Sequence, residues 1–191
     1  MHPRPWGLIP LLTMLLLVEA CLPSDESNGV RESSSAADGA PVAPVSLAVD
    51  GVGQLAFPVS SDEVVARFGV PMPPPPGDAG EVWCTMTWLP VAPGDSILSM
   101  FTDRGLVRMD VLDPGRRTAA GVGVGSTEEA IREAYGTAVE ATPHKYTDGK
   151  YLTVPGPSGD RALVFESDGA GAVTTYRVGA LPEVAWIEGC S

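Results

Sequence analysis

Residues 121 to 136 read GVGVGSTEEAIREAYG, in which Gly121, Gly123 and Gly125 lead through Ser126 and Thr127 into a short helical pattern. Glycines ahead of a helix N-terminus can cradle a phosphate on free backbone N–H groups. A nucleotide loop also needs a lysine that reaches the outer phosphates, and none follows Gly125. A dinucleotide loop needs a third glycine three places after the second. Ser126 stands at that distance from Gly123, and Glu128 from Gly125. Carboxylates at the helix start would repel a pyrophosphate, so phosphate chemistry is not expected here. Ser126 lies outside a G-x-S-x-G elbow. His144 stands in TPHKY beside Lys145, a context that suits a solvated loop histidine. Asp148, Asp160 and Asp168 sit at glycine-containing turns, where aspartate caps its own backbone, and they lack the alternating oxygen ligands of a calcium loop. A hydrolase would need His144, Asp148 and Asp160 to converge in one cleft. Glu128, Glu129 and Glu133 read as a solvated helix face. No catalytic residue, metal or cofactor is expected.

The remaining reactive side chains are cysteines and aromatics. Cys84 and Cys190 are left for each other if Cys21 is consumed elsewhere, and no C-x-x-C is present. A bridge between them would close a loop of about 105 residues, worth about 4 to 5 kcal/mol on the chain-entropy model. Trp83 and Trp88 fall on opposite pleats of one strand. One reading packs one of them beneath a helix and shelters the other under a proline-rich loop. The sharper reading makes Trp83, Tyr146, Tyr151, Tyr176 and Trp186 an exposed aromatic face that grips a partner, since Trp and Tyr dominate interface energetics.

The elements that must position these residues come in two similar sets. LAFPVSSDEVVARFGVP (55 to 71) parallels the opening stretch when Gly69 and Gly136 are aligned: Val64 then meets Ile131, and Phe68 meets Tyr135. Ser60 with Glu63, and Ser126 with Glu129, satisfy the S-x-x-E capping pattern, with Thr127 as the alternative second cap. Apolar residues at 64, 65 and 68, and at 130, 131, 134 and 135, give each helix one buried stripe. Such short helices need a sheet to lie on. Strands are expected at 81 to 89 and in hairpins 97 to 111 and 162 to 178. Phe101 matches Phe165 in these hairpins, and Gly105 matches Gly169. Further strands are expected around an Asp148-Gly149 tight turn in 145 to 154, and in VAWIEGC (184 to 190). VPMPPPPGDAGE (70 to 81) is a loop that cannot join a ladder. The expected fold class is α+β: two short helices on an antiparallel sheet, as a tandem duplication with units of about 45 to 118 and 119 to 191.

STEEAIREAYG (126 to 136) and SSDEVVARFGVP (60 to 71), each a short helix closed by aromatic-Gly and followed by antiparallel strands, resemble β-lactamase inhibitory protein and the small outer-membrane assembly lipoproteins. The chain departs from that group in having one helix per unit and in lacking two cysteines within each unit. The resemblance implies a protein-binding surface on the open face of the sheet.

The address is read from the first residues. Arg4 precedes an apolar run from Trp6 to Val18, the length of a signal-peptide core and too short to span a bilayer. It ends in Val18-Glu19-Ala20-Cys21, which resembles a bacterial lipobox, with Glu19 as a departure. The expected order is a signal peptide (1 to 20), lipidated Cys21 with a Ser-, Ala- and Pro-rich tether (21 to 44), and one domain (45 to 191). The net charge of −12 gives no reason to bind nucleic acid or an anionic bilayer, so the membrane is met only through the lipid on Cys21. The expectation is a non-enzymatic lipoprotein on the extracytoplasmic face of the bacterial cell envelope, binding a protein or cell-wall partner. The alternative is a secreted or anchored inhibitor of an envelope hydrolase, with VPMPPPPGDAGE or KYTDGKY (145 to 151) plugging the cleft.

Overall fold

The computed structural model describes residues 45–72 and 83–191. The expected signal peptide, Cys21 with its tether, and most of the proline-rich loop lie outside the described residues. Along the chain run three two-residue strands, β1 (Leu47–Ala48), β2 (Gly51–Val52) and β3 (Leu55–Ala56), then helix α1 (Ser61–Phe68). Strands β4 (Cys84–Ala92), β5 (Asp95–Thr102) and β6 (Gly105–Val111) follow. After helix α2 (Glu128–Tyr135) come β7 (Glu140–Pro143), β8 (Lys150–Pro155), β9 (Arg161–Ser167) and β10 (Val173–Ala180). β1 to β3 form a small sheet, and the rest form a seven-stranded sheet in the order β4-β5-β6-β10-β9-β8-β7. Every pairing within the two sheets is antiparallel. Two antiparallel sheets with two helices make the fold α+β.

Both helices start and stop where the side chains dictate. Ser60 caps α1 in a full capping box: its Oγ accepts from the Glu63 N–H at 3.4 Å, and the Glu63 carboxylate accepts from the Ser60 N–H at 3.0 Å. Gly69 closes α1 in the left-handed conformation. At α2 the cap is Thr127, whose Oγ1 accepts from the Ala130 N–H at 3.1 Å. The Ser126–Glu129 box does not form, because the Ser126 hydroxyl is occupied by the Gly123 N–H and by Arg117. Val64 and Ile131 are each the one fully buried residue of their helix, whereas Val65 and Ala134, assigned to the buried stripes, face solvent.

One hydrophobic core lies between the helices, the small sheet and one face of the large sheet. It gathers Leu47, Phe57, Val64, Leu106, Ile131, Phe165 and Tyr176 among others. The N-terminal segment is joined to the large sheet by Val59, which exchanges both backbone bonds with Leu106 at 2.8 and 2.9 Å.

The glycine stretch that opens α2 is a turn rather than a strand: Gly123 makes a single bridge to Arg117, and Val122 and Val124 belong to no ladder. A Cβ on Gly123 would stand 2.7 Å from the Arg116 carbonyl oxygen, while Gly125 has φ +82° with open space around it. Packing therefore requires the first glycine and backbone conformation the second.

Three strand expectations change. β4 runs on to Ala92 through Pro90, which an edge strand tolerates because no donor is required on its open side. Asp148-Gly149 does not form a two-residue turn; it ends a loop over 144 to 149 between β7 and β8, closed by the His144 N–H donating to the Gly149 carbonyl at 3.0 Å. VAWIEGC is not a strand. A 3-10 turn at Glu183–Ala185 opens a strap, residues 181 to 190, that crosses the second face of the large sheet. Its carbonyls are taken by guanidinium groups instead of a neighbouring strand.

Candidate functional site

The strand register defines the second face. Trp88, Leu98, Asp110, Arg177, Val164 and Thr153 stand in one row across β4, β5, β6, β10, β9 and β8. Met86, Met100, Arg108, Gly179 and Ala162 form the next row. Two guanidinium groups lie at the centre beneath the strap. Arg108 holds Asp110 through two bonds, at 2.8 and 2.5 Å, and donates to the carbonyls of Glu183 at 3.3 Å and Trp186 at 2.6 Å. Arg177 donates from Nε to the Val184 carbonyl at 2.7 Å and pairs with the Glu166 carboxylate through Nη1. Val184 is fully buried against Tyr151, Ala162 and Val164. Arg104 closes the strap's start on Glu183 at 2.7 Å.

The polar chain continues to His144, whose Nε2 meets Glu166 at 3.2 Å. Its Nδ1 accepts from the N–H groups of Tyr146 and Thr147 at 3.1 and 3.2 Å. The Nε2 atom therefore carries the proton and donates to Glu166. The ring stacks on Tyr151 with centroids 4.5 Å apart. No lone pair is left for a general base, and the histidine is not the solvated side chain expected from its loop. Asp160 lies at the start of β9 with Ser158 and Arg161, whereas Gly149, next to Asp148, packs against Ser167 at the strand's other end. A strand of seven residues separates the two by about 20 Å, so His144, Asp148 and Asp160 share no cleft.

Other expected residues are placed as follows. Trp83 packs partly buried against the main core, and Tyr176 lies wholly within it, 5.4 Å from the Phe165 ring. Burial pushes the Tyr176 phenol up from its ordinary value. Tyr151 is buried under the strap. These three do not contribute to an exposed aromatic face, because both faces of the large sheet are covered where they stand. Trp186 is half-buried on the strap, and Tyr146 is 61% exposed at the loop tip. Trp88 is the reverse of the sequence expectation: it is 58% exposed on the second face, beside partly buried Leu98. Cys84 and Cys190 are bonded, with Cα atoms 5.4 Å apart, and tie the end of the strap to the start of β4.

The rim between loop and strap is charged. Lys145 donates to Glu188 at 2.6 Å, and the Tyr146 hydroxyl donates to the same carboxylate oxygen. Glu188 raises the lysine's pKa, and Lys145 in turn holds the Glu188 carboxyl below its ordinary value. Across the sheet, Glu128 is not freely solvated: it accepts from Lys150 at 2.7 Å and from the Ser167 hydroxyl at 2.8 Å. Lys150 is the main cause that holds its carboxyl below the usual range.

Arg108, Asp110, Glu166 and Arg177 escaped the sequence reading, yet a signal was present. VRMDV and YRV place charged residues on one pleat of otherwise apolar strands, which is the pattern of a buried pair. Among the described residues, no group of three or more His, Cys, Asp or Glu could hold a metal ion, and no helix is long and apolar enough to cross a membrane.

No protein-family model matches the chain, and no curated protein does. Among solved structures the chain is similar to a DUF4309 family protein, YjgB, from Bacillus subtilis subsp. subtilis str. 168, with 16% identity over 68% of this chain and 84% of that one, at a TM-score of 0.43.

Proposed function

We propose that the chain is a non-enzymatic lipoprotein of the bacterial envelope whose domain captures a protein partner at the open end of the second sheet face. The observation that carries the reading is Trp88, a tryptophan 58% exposed on a regular strand. The buried polar groups of the same face are all bonded internally, so what this face offers a partner is aromatic and apolar surface. Export is supported by the signal-like start, the lipobox-like Val18-Glu19-Ala20-Cys21 and the Cys84–Cys190 pair, which suits an oxidising compartment. Lipid on Cys21 and the tether to residue 44 hold the domain on the extracytoplasmic side.

We also propose a duplicated origin for the domain. The strand order supports it: α1 followed by β4-β5-β6, and α2 followed by β7 to β10, meet through their last strands, β6 and β10. Val64 and Ile131, matched in sequence, are the buried residues of the two helices.

The test is crosslinking of the intact lipidated protein in its own envelope, wild type against Trp88→Ala, with circular dichroism to check the fold. Loss of a defined crosslinked partner in the variant supports the reading, and equal capture by both proteins overturns it. Tyr146 favours a second reading, in which the 144–149 loop, braced by Glu188, enters the cleft of an envelope hydrolase. That reading requires the purified protein to slow a hydrolase and Tyr146→Ala to relieve the inhibition.

A further inference from the structure

We infer that β4 is a docking edge to which an extended, uncharged segment of the partner, flanked by basic residues, adds as an eighth strand. The inference rests on the protein-binding reading above and names its mode. β4 ends the large sheet, with β5 on one side and, among the described residues, no backbone bond reaching the other. Its nine residues, CTMTWLPVA, carry no charge. Sheet edges are normally blunted by shortness, charge or proline, because an open ladder recruits other chains. The opposite edge follows that rule: β7 has four residues, EATP, with Glu140 at one end and Pro143 at the other. β4 has only Pro90, near its end.

Both flanks of this edge offer places for alternate side chains of an added strand. On the core side, a cavity of about 270 Å³ lies between the end of α1 and the end of β4, lined by Arg67, Phe68, Pro90, Val91, Ala92 and Pro93. On the other side stands the exposed face of Trp88. The added strand therefore carries apolar residues on both pleats. Charge distinguishes the occupants: a second copy brings the same net −12, so self-pairing sets two acidic bodies side by side, whereas a segment with basic flanks is drawn in.

The test uses the full lipidated chain in nanodiscs and a synthetic peptide of alternating Thr and Val over six residues, with two lysines at each end. A twin peptide carries glutamates in place of the lysines. Hydrogen exchange of the 84–92 amides that do not bond β5 slows at least tenfold with the lysine peptide, which binds at least tenfold more tightly than its twin at low salt. Trp88→Lys weakens binding at least tenfold, while Leu112→Lys, at another exposed apolar position, does not. Slow exchange, in the free chain, of the 84–92 amides that do not bond β5, protection elsewhere, or equal binding of the two peptides overturns the proposal. So does a dimer in sedimentation that Trp88→Lys abolishes, which makes the occupant a second copy. Envelope capture that survives while the peptide fails removes strand addition alone. Equal envelope capture by wild type and Trp88→Ala removes the binding reading whatever the peptide does.

Discussion

Arg177→Ala tests whether the strap is held by the two guanidinium groups. The Arg177 side chain is 4% exposed, bonds the Val184 carbonyl at 2.7 Å and pairs with Glu166. Its guanidinium carbon also lies 5.8 Å from the centre of the Tyr151 ring. Truncation leaves the Glu166 carboxylate facing His144 alone and strands a carbonyl on a fully buried residue. Removing one partner of a buried pair costs about 3–5 kcal/mol, and an unpaired buried carbonyl about 1–3 kcal/mol more. The strap can lift instead of leaving that carbonyl unpaired, at about 1.5–2 kcal/mol for re-exposing Val184, so the total loss should be about 4.5–7 kcal/mol, with the lifting expressed locally. Arg104, 39% exposed in the turn between β5 and β6, serves as contrast: solvent reaches its side of the pair with Glu183 of the strap, so its loss should cost less than that of Arg177. Amide exchange at Ala185 and Trp186, whose N–H groups bond Pro182 and Glu183 at 3.0 and 3.1 Å, reports the lifting directly. Urea denaturation gives the total. A variant within 1 kcal/mol of wild type, with unchanged exchange at those two amides, would refute the reasoning.

Val64→Ala should cost about 2–3 kcal/mol and Ile131→Ala about 2–5 kcal/mol, because each empties the one buried position of its helix; urea midpoints at constant slope check this. Replacing Cys84 and Cys190 together with serine should lower stability by about 4–5 kcal/mol, given a separation of 106 residues, and dithiothreitol should reproduce the loss in the wild type. Glu128 has a folded pKa below its unfolded value, so its stabilisation is complete above pH 4.5 and disappears as the pH falls through the folded pKa. Glu128→Gln should therefore flatten the acid limb of a stability profile. Tyr176 has a raised folded pKa, so its contribution is complete below pH 10 and falls as the pH rises above it; Tyr176→Phe should flatten the alkaline limb.

Short-range chemistry could be read from sequence, and long-range covering could not. Ser60, Glu63 and Gly69 fix the ends of α1 through contacts three or four residues apart, so the capping pattern predicts the helix correctly. The two hairpins are visible for the same reason, as apolar strands around tight turns. Asp148-Gly149 misleads because the strand pair it should join is set by β8 lying against β9, which leaves a longer loop around His144. VAWIEGC has strand-forming residues, yet Arg108 and Arg177 claim its carbonyls from strands far away in sequence. The tryptophans show the same limit. Alternation places Trp83 and Trp88 on opposite faces, but which face is covered depends on where α1 and the strap lie. Tyr151 and Tyr176 are misplaced for that reason too: aromatic identity suggests an interface, and burial by distant elements decides against it.

The adjacency of β6 and β10 sets the kinetics of assembly. Every other pairing in the large sheet joins strands that follow one another along the chain, so each meander can form from nearby residues. The β6–β10 seam, from Val111 opposite Tyr176 to Arg108 opposite Gly179, must wait until α2 and three intervening strands have been gathered in. Loop closure of that length slows folding more than it lowers stability. Substitutions along the seam, such as at Met109 or Val178, therefore act chiefly on the folding rate, while those in the outer hairpins chiefly change the rate of unfolding.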